Sequence, residues 1–262
     1  MIQICVITGA SSGIGKEFFF NLSKDLDFKF DEIWVIARRE DRLKELSELC
    51  EIPVKAISLD LTKESAYQEY EALLEKEAPT IKLLINCSGF GKFESTQNVG
   101  CEESLNMIDL NVKAIVAMNI ISLKYMKEGS GIINIASVAA YQPIPYINVY
   151  GASKSFVLNF TSALSMEVKK KGIKVMAVCP FWTKTEFFDG AVKSEEDPVV
   201  KKYIAMYDPK DIVKRALRDY KKGKSVSLFG TMTKLQLFAV KLMPVPITMR
   251  YWMSQQKLWK RD

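Results

Sequence analysis

The sequence predicts an α/β protein in which one doubly wound parallel sheet carries helices on both faces. Short apolar, β-branched runs alternate about six times with segments whose apolar residues recur at helical spacing. The runs are apolar at nearly every position, as expected for parallel strands that are buried on both faces. No linker, repeat or low-complexity tract interrupts the alternation. We therefore expect one domain over residues 1–230 and a helical C-terminal extension over residues 231–262.

Composition and charge exclude some classes of protein. With 262 residues, of which 48% are hydrophobic and 26% charged, the chain can bury a large core as a single domain. The net charge is +6, but acidic and basic residues are interspersed through most of the sequence. We see no basic stripe interleaved with aromatic residues before the C-terminus, so we expect no nucleic-acid partner.

The usage of histidine and cysteine narrows the chemistry further. The sequence contains no histidine, which excludes histidine-based triads and removes the commonest transition-metal ligand, so we predict no metal site. The five cysteines form no C-x-x-C pair, and three lie in apolar runs, as expected for reduced thiols. The chain enters a strand directly after Met1, without the basic region of a signal peptide. We therefore expect a cytoplasmic protein.

The first strand–turn–helix unit carries a glycine-rich turn. A strand predicted over Ile2–Thr8 runs into the sequence TGASSGIG, and a helical pattern follows. Such a turn holds phosphate, because backbone N–H groups and the helix N-terminus point at the anion. Gly9 permits the tight turn, Gly13 admits the pyrophosphate, and Gly15 lets helix and strand pack closely. The residues predicted to bind a dinucleotide here are Gly9, Ser11, Ser12, Gly13, Ile14 and Gly15.

The second strand, predicted over Ile33–Ala37, ends in two arginines. In dinucleotide folds this strand end meets the adenosine ribose. An acid there binds the 2′-hydroxyl of NAD, and an arginine accommodates the 2′-phosphate of NADP. Arg38 occupies the place of the acid, so we favour NADP(H) over NAD(H) as the cofactor. Arg39 either joins this phosphate site or only opens the solvent face of the next helix. Ser12, in the glycine-rich turn, carries no positive charge, so Arg38 is the one clear residue for binding the 2′-phosphate.

Two further strand ends lie at the same edge of the sheet. The third strand, Val54–Leu59, is followed by Asp60 and Leu61. The fourth, Ile81–Ile85, runs into the sequence NCSG, which begins at Asn86. Because ligands bind at the carboxyl ends of the strands in open parallel sheets, we place these three residues beside the cofactor. Asp60 either accepts from the adenine amino group or only caps the following helix.

The next two elements each place one polar residue in an apolar setting. Helical spacing runs over residues 102–127 with Asn111 inside it, and a buried asparagine there needs hydrogen-bond partners. Asn111 either kinks this helix or serves as a structural amide. The fifth strand, Ile132–Ala136, ends at Ser137, thirteen residues before Tyr150.

A tyrosine and a lysine open the next helix, predicted over Asn148–Lys171. Tyr150 and Lys154 are four positions apart, which places both side chains on one face of a helix. An ammonium beside a phenol favours the phenolate, so we expect the pKa of Tyr150 to fall toward neutral pH. A tyrosine tuned in this way can give and take a proton. The alternative is a surface pair that happens to lie one turn apart.

In their order and spacing these motifs resemble those of the short-chain dehydrogenase/reductase family in its compact form. The match covers about residues 2–229. The matching positions are Thr8–Gly15, Asp60, Asn86–Gly89, Asn111, Ser137, Tyr150–Lys154, Pro180 and Thr185. The resemblance implies a Rossmann fold and an NAD(P)(H)-dependent oxidoreductase of alcohols and ketones, with residues 1–230 as the NAD(P)-binding catalytic domain.

The resemblance also implies a role for each polar residue of the site. Tyr150 is expected to act as acid and base on the substrate oxygen. Lys154 is expected to lower the pKa of the tyrosine and to hold the nicotinamide ribose. Ser137 would polarise the substrate carbonyl, and Asn111 would hold a water that relays protons from Lys154. The contacts implied for the nicotinamide end of the cofactor fall at Pro180, Thr183 and Thr185.

Three places depart from the family pattern. Cys87 and Ser88 replace an asparagine and an alanine, and because both side chains are small we expect the turn to survive. Phe181 replaces the glycine that usually follows the proline, which limits backbone freedom beside the nicotinamide and reshapes the substrate wall. Thr183 stands where a β-branched hydrophobic residue is common, but its backbone N–H still reaches the carboxamide.

The segment from residue 181 to 209 lacks regular spacing, and long excursions at the ligand edge of a sheet are often lids. It contains aromatic residues, which predict a hydrophobic pocket: Phe187, Phe188 and Tyr203. The expected small-molecule partner is an apolar ketone or secondary alcohol, whether steroid-like, acyl or aromatic. The alternative is a non-catalytic NAD(P)-sensing binding protein of the same fold, although a sensor need not keep Tyr150 and Lys154.

Beyond Phe229 the chain continues with an apolar stripe at helical spacing, formed by Leu235, Phe238, Ala239 and Leu242. Lys241 and two prolines interrupt the stripe well short of a membrane span. The end of the chain is basic, at Lys257, Lys260 and Arg261. The extension covers a substrate site, completes an oligomer interface or lies on a membrane surface. We favour the first two together over membrane contact, and expect a homodimer or homotetramer.

Overall fold

Seven parallel strands form one sheet in the computed structural model, which describes residues 2–192 and 198–260. The predicted basic residue Arg261 lies outside the described residues. The strands are β1 Gln3–Thr8, β2 Glu32–Ala37, β3 Val54–Ser58, β4 Thr80–Asn86, β5 Gly131–Ile135, β6 Lys174–Val178 and β7 Val226–Ser227. Their order is β3-β2-β1-β4-β5-β6-β7, so the connections reverse direction between β1 and β4. This confirms the predicted doubly wound α/β fold, and a ligand crevice opens at such a reversal.

Helices connect the strands and continue beyond them. The first six are α1 Gly13–Leu22, α2 Glu40–Glu48, α3 Glu64–Glu77, α4 Thr96–Val99, α5 Cys101–Ile108 and α6 Ala114–Leu123. The others are α7 Asn148–Glu167, α8 Phe187–Ala191, α9 Pro209–Lys221, α10 Thr231–Leu242 and α11 Val245–Gln255. Helix α7 is shorter than predicted, because residues 169–171 form a separate 3-10 turn that ends at Gly172 with a positive φ of 69°.

Two apolar layers hold the sheet between helices. Successive residues of β1 alternate between them: Cys5 and Ile7 pack with Phe18 of α1, whereas Ile4 and Val6 pack on the opposite side with α3, α6 and α7. Phe18 is fully buried, and burial of such a side chain contributes roughly 1.5–3 kcal/mol. The continuous apolar runs of the sequence therefore arise because each strand is covered on both faces.

The segment predicted as one helix over residues 102–127 is interrupted. Five residues, Asp109–Lys113, form a π-helical turn between α5 and α6. Such turns widen a helix by one residue and occur often at functional sites. Asn111 lies in this turn and is completely buried. By length and composition the span Cys101–Leu123 resembles a membrane helix, but its inner residues pack into the domain.

The C-terminal extension forms two helices rather than one interrupted stripe. Leu237 of α10 and Trp252 of α11 are buried against the domain. The predicted stripe points the other way, because Leu235, Phe238, Ala239 and Leu242 are all exposed. The extension therefore covers part of the domain with Leu237 and Trp252, and the stripe identified in the sequence does not take part in this contact.

Candidate active site

A cavity of about 420 Å³ opens at the carboxyl ends of the strands. Most residues predicted from the sequence line it: Gly9, Ser11, Ser12, Gly13, Ile14, Gly15, Arg38, Arg39, Asp60, Leu61, Ser137, Tyr150, Lys154, Pro180, Thr183 and Thr185. Two predicted residues, Asn86 and Asn111, lie behind this lining. The fold thus brings residues from both ends of the sequence into one cleft.

The glycine-rich turn leaves room for a diphosphate at the N-terminus of α1. Gly9 and Gly13 have φ angles of +67° and +54°, a conformation that side chains disfavour. A Cβ atom at Gly15 would lie 2.3 Å from the carbonyl oxygen of Gly9, so only glycine permits this packing of helix on strand. No side chain caps the helix at Ser12. The first N–H groups of α1 are therefore available to an anion, as dinucleotide binding requires.

The two arginines after β2 differ in their contacts. Arg38 is exposed at the rim of the cleft. Arg39 donates to the hydroxyl of Ser11 at 3.0 Å and forms an ion pair with Glu186 at 2.8 Å. Arg42 binds the same carboxylate at 2.6 Å, and the hydrogen bonds from both guanidinium groups lower the pKa of Glu186. Arg39 therefore belongs to the cleft and does more than open the solvent face of the next helix. Glu186 also lines the cleft, and the sequence analysis did not identify it.

Asp60 fixes the turn after β3. Its Oδ1 accepts hydrogen bonds from the backbone N–H of Thr62 at 3.1 Å and from the hydroxyl of the same residue at 2.9 Å. Asp60 does not cap the following helix, which was one of the two roles considered from the sequence, because α3 begins at Glu64 with Lys63 at its N-cap and no side chain bonded there. Asp60 also lines the cleft next to Leu61, so its second carboxylate oxygen remains near the adenine end of the predicted cofactor site.

Asn86 does not line the cleft, contrary to our prediction for a cofactor-binding residue. Its side-chain amide donates to Asn134 at 2.8 Å, and Asn134 in turn contacts Asn119 and Thr161. All four residues are buried. Because a buried amide needs partners, this network fixes β4, β5, α6 and α7 to one another beneath the site. In the sequence, the signal that could have indicated this network is the presence of polar residues within otherwise apolar strands and helices.

The turn after β4 survives the two departures from the family pattern. The hydroxyl of Thr8 accepts from the backbone N–H groups of Cys87 and Ser88, at 3.1 and 3.2 Å. These bonds use backbone donors, so the replaced side chains are not needed for them. A Cβ atom at Gly89 would lie 2.9 Å from Oδ1 of Asn111. Glycine there lets the chain pass directly over the asparagine.

Asn111 holds the chain that follows this turn. Its Nδ2 donates to the carbonyl of Phe90 at 2.8 Å, and its Oδ1 accepts from the N–H of Phe90 at 3.0 Å. The Nδ2 group also donates to the hydroxyl of Ser153 at 3.1 Å. The π-helical turn thus aims the amide at the backbone beside Lys154. The proton relay through Asn111 remains a prediction.

Ser137, Tyr150 and Lys154 meet where β5 and α7 face the cleft. The hydroxyl of Ser137 is hydrogen-bonded to Tyr150. The ammonium of Lys154 donates to the carbonyl of Ile135 at 2.9 Å and lies 5.7 Å from the centre of the Tyr150 ring. The three polar side chains therefore lie close together in the lining of the cleft, with the ammonium directed at the Ile135 carbonyl.

The pKa values of this pair differ from our expectation. Burial raises the pKa of Tyr150 to about 12, although the hydrogen bond with Ser137 opposes the change. Burial also lowers the pKa of Lys154 to about 8. Desolvation therefore outweighs the attraction between ammonium and phenolate, because the lysine is turned toward Ile135 instead of the tyrosine oxygen. In the protein alone, the predicted lowering of the tyrosine pKa is wrong.

The other half of the cleft is an aromatic chamber around Tyr150. Phe187 packs on the Tyr150 ring with 5.4 Å between centroids, and Phe93 lies 6.2 Å away. The predicted residues Phe187 and Phe188 line the cavity, whereas Tyr203 packs behind it on Trp182. Several apolar lining residues have no counterpart in the predicted motifs, among them Phe93, Ile144, Ile147 and Trp252.

Helix α11 closes this chamber from the C-terminal side. The indole N–H of Trp252 donates to the carbonyl of Pro145 at 3.0 Å. Oε1 of Gln256 accepts from the backbone N–H groups of Lys201 and Lys202, and its Nε2 donates to the carbonyl of Lys202. The extension is therefore tied both to the loop before α7 and to the segment after α8.

The reactive groups that line the cleft include the phenol of Tyr150, the ammonium of Lys154 and the hydroxyl of Ser137. Within residues 2–192 and 198–260, no group of three or more cysteine, aspartate or glutamate residues is placed to hold a metal ion.

Comparison with known proteins assigns the family. Residues 3–196 match the model of the short chain dehydrogenase family. An NADP-dependent 3-hydroxy acid dehydrogenase of Schizosaccharomyces pombe is 31% identical over 238 residues, which cover 87% of this chain and 90% of the relative. The 17-beta-hydroxysteroid dehydrogenase type 3 of Mus musculus is 32% identical over 224 residues, covering 79% and 70%. The chain belongs to the short-chain dehydrogenase family.

A solved structure agrees with the fold over the entire chain. A short-chain dehydrogenase from Sphingobium yanoikuyae in complex with NADPH superposes with a TM-score of 0.75 and 24% sequence identity. The match covers 100% of this chain and 96% of that one, so it includes the C-terminal extension. At this identity the comparison supports the fold, and the choice of substrate rests on the cleft itself.

Proposed function

We propose that this protein is an NADP(H)-dependent oxidoreductase that transfers a hydride between nicotinamide and the carbonyl carbon of an apolar ketone or secondary alcohol. The observation that carries the proposal is the Tyr150 hydroxyl. It is hydrogen-bonded to Ser137 and next to Lys154, and it faces an aromatic chamber. A carbonyl oxygen in that chamber meets two hydroxyl donors, and the rest of the substrate meets apolar walls.

The residues of the cleft fit the cofactor that this chemistry requires. When bound, a nicotinamide dinucleotide supplies the hydride. The turn from Gly9 to Gly15 and the N-terminus of α1 would hold its diphosphate, and Lys154 would hold the ribose next to the nicotinamide. The same cleft is lined by that turn and by Lys154, so one elongated ligand would reach both.

The chain's own residues supply the proton chemistry. In the direction of reduction, Tyr150 donates its hydroxyl proton to the substrate oxygen, and Ser137 stabilises the developing charge by a hydrogen bond. Lys154 must then favour the phenolate, which requires its ammonium to be charged and close to the tyrosine oxygen. Asn111 fixes the backbone at Phe90 beside this group and is positioned to order the proposed proton relay.

The preference for NADP(H) rests on the arginines after β2. Arg38 is exposed at the rim, and Arg39 lies against Ser11 of the glycine-rich turn while paired with Glu186, so both guanidinium groups would be within reach of a 2′-phosphate. The related enzyme of Schizosaccharomyces pombe is named as NADP-dependent, which agrees with this choice. We expect Arg38→Asp to reverse the ratio of Kd values for NADPH and NADH, measured by fluorescence titration. An unchanged ratio would exclude Arg38 from the site.

Activity tests the proposal as a whole. We expect NADPH-dependent reduction of hydrophobic carbonyl compounds, followed by the loss of absorbance of the reduced nicotinamide. A suitable panel contains a steroid ketone, an aromatic ketone and a 3-oxoacyl thioester. Tight binding of NADPH without turnover of any carbonyl compound would instead favour the non-catalytic sensor.

We also propose a cytoplasmic homodimer or homotetramer. Large apolar side chains remain exposed on the helices that flank Asn111 and on α7, namely Leu105, Ile108, Ile120, Phe156 and Met166. Members of the family typically form oligomers, and a two-fold axis would bury such a face. Light scattering on the purified protein measures the number of subunits.

A further inference from the structure

The C-terminal extension has two opposite apolar faces, and the domain uses only one. On α10 the inward residues include Leu237, which is 5% exposed. On the opposite side of the helix, Leu235, Phe238 and Leu242 are 66%, 66% and 69% exposed. These positions are spaced three and four residues apart, so they form one continuous stripe. We call this stripe the outer face of α10.

Helix α11 repeats the arrangement. Trp252 and Gln256 turn inward to the substrate chamber, as described above. Ile247 and Tyr251, one turn apart, point outward and are about half exposed or more. Trp259 follows in the last turn and is also exposed. Large aliphatic and aromatic side chains thus continue beyond α10 on the solvent side of the extension.

All charged residues from position 231 to 260 are basic. From Thr231 to Lys260 the sequence contains no aspartate or glutamate, although the whole chain has 31 acidic residues. The same stretch contains five basic residues: Lys234, Lys241, Arg250, Lys257 and Lys260. Lys234 and Lys241 are exposed and two turns apart, directly beside the outer face of α10. Apolar side chains flanked only by cations are the pattern of helices that lie on membranes.

We propose that the outer face of α10, together with Ile247 and Tyr251 of α11, docks on the surface of an anionic phospholipid bilayer. The helices then lie in the plane of the interface, with the apolar residues among the acyl chains and the lysines at the headgroups. Helix α10 has 12 residues and is about 18 Å long, too short for the roughly 30 Å of hydrocarbon that a spanning helix must cross.

The charge pattern favours a lipid surface over a second copy of the chain. A two-fold contact through this face would bring Lys234 and Lys241 toward the same residues of the partner, and residues 231–260 contain no acid to neutralise them. Anionic lipid headgroups neutralise them directly. The apolar face used for oligomers in the proposal above lies elsewhere, on α5, α6 and α7.

The two helices of the extension that would dock on the membrane also form part of the cavity wall. Gln236 of α10 and Trp252 and Gln255 of α11 line the cavity from inside, so these helices separate the cavity from the membrane. A hydrophobic substrate dissolved in the bilayer would reach the chamber across one layer of helices. The entry of substrate from the bilayer rests on the proposed function, whereas the docking of the helices on the membrane does not.

Sedimentation of the full-length protein with lipid vesicles tests the docking. We expect binding to vesicles of phosphatidylcholine mixed with phosphatidylglycerol, little binding to pure phosphatidylcholine, and weakening by salt. The combined variant Leu235→Gln, Phe238→Gln, Leu242→Gln should lower the partition coefficient roughly 10-fold or more. Lys234→Gln with Lys241→Gln should lower it about 5-fold for each site.

A matched control uses Leu26→Gln, because Leu26 is 89% exposed and lies far from the extension in the sequence. Its vesicle binding should equal that of the unaltered protein, and NADPH binding should be unchanged in all variants. Absence of binding to anionic vesicles, or binding that the α10 variants leave intact, would overturn the proposal. So would a fall in subunit number for the triple variant by light scattering, since the face would then be a subunit contact.

Discussion

The two halves of the cleft are built by different means. The cofactor half uses mainly backbone: a turn made tight by Gly9 and Gly15, the N-terminus of α1, and the turn that Thr8 fixes after β4. The substrate half uses side chains from distant segments, from Phe93 to Trp252. Backbone geometry depends on a few residue types at fixed spacing, whereas an aromatic wall can be assembled from many sequences. The first half is therefore common to a family, and the second can differ between its members.

The largest effect on cofactor binding should follow from adding a single methyl group in the cofactor half of the cleft, which is built mainly from backbone. In Gly15→Ala the new Cβ would lie 2.3 Å from the carbonyl oxygen of Gly9, so α1 must shift away from β1. Overpacking of this kind costs about 1–3 kcal/mol of unfolding free energy. We expect NADPH binding to become undetectable by fluorescence titration.

Gly190→Ala is the matched control for that change. Gly190 lies in α8 beside the chamber, and a Cβ atom there would meet nothing within 4 Å. Its stability and its affinity for NADPH should remain those of the unaltered protein. Equal behaviour of the two variants would show that the glycine-rich turn does not depend on the close packing described here.

A change in the wall of the substrate half should leave the cofactor half intact. Trp252→Leu removes part of the chamber wall and the hydrogen bond to the Pro145 carbonyl. We expect the KM for a hydrophobic ketone to rise on the order of 10-fold, since a few buried contacts are lost, while the Kd for NADPH stays the same. Trp259→Leu alters an exposed tryptophan of the same extension and should change neither constant. A weaker affinity for NADPH in Trp252→Leu would contradict the separation of the two halves.

An effect on stability alone is expected at the junction of the halves, at Lys154. Its pKa falls from 10.5 to about 8 on folding because it is buried, so folding must desolvate or discharge an ammonium below pH 8. As the pH rises from 8 to 10.5, the unfolded chain binds more protons than the folded one, and the folded state gains stability. The full gain is about 3 kcal/mol.

Urea unfolding at several pH values measures this gain. Between pH 7 and 10.5 the unfolding free energy of the unaltered protein should rise by that amount relative to the unfolding free energy of Lys154→Met, which lacks the ammonium. Lys214→Met, at an exposed position, should give a difference that does not change with pH. A constant difference for Lys154→Met would mean that the lysine is not desolvated.

The sequence predicted the elements of the cofactor half well, because their structure depends on residues that are close together in the chain. The strand, turn and helix around Gly9 to Gly15 follow from residue type and spacing, and so do the ends of the strands. The π-helical turn at Asn111 was not predicted, because the helical pattern continues through it and only the bond to Phe90 explains it. The outward direction of Leu235 could not be read from the sequence, since periodicity identifies a stripe but not the partner that it faces.

Electrostatics at Tyr150 could not be derived from spacing. A spacing of four positions between a tyrosine and a lysine places both on one face of α7, but the direction of the ammonium depends on the Ile135 carbonyl of β5. Burial, which determines both pKa values here, is a property of the assembled chamber. The same spacing on a surface helix would leave both groups near their ordinary pKa values.

The central claim is that the Tyr150 hydroxyl exchanges a proton with the substrate oxygen. Tyr150→Phe removes that hydroxyl and keeps the ring that packs on Phe187. We predict that kcat for NADPH-dependent ketone reduction falls roughly 10²–10⁴-fold, as for loss of a general acid, while the Kd for NADPH and the unfolding free energy stay close to those of the unaltered protein. Turnover within a few-fold of the unaltered protein, on the same ketone, would contradict the claim.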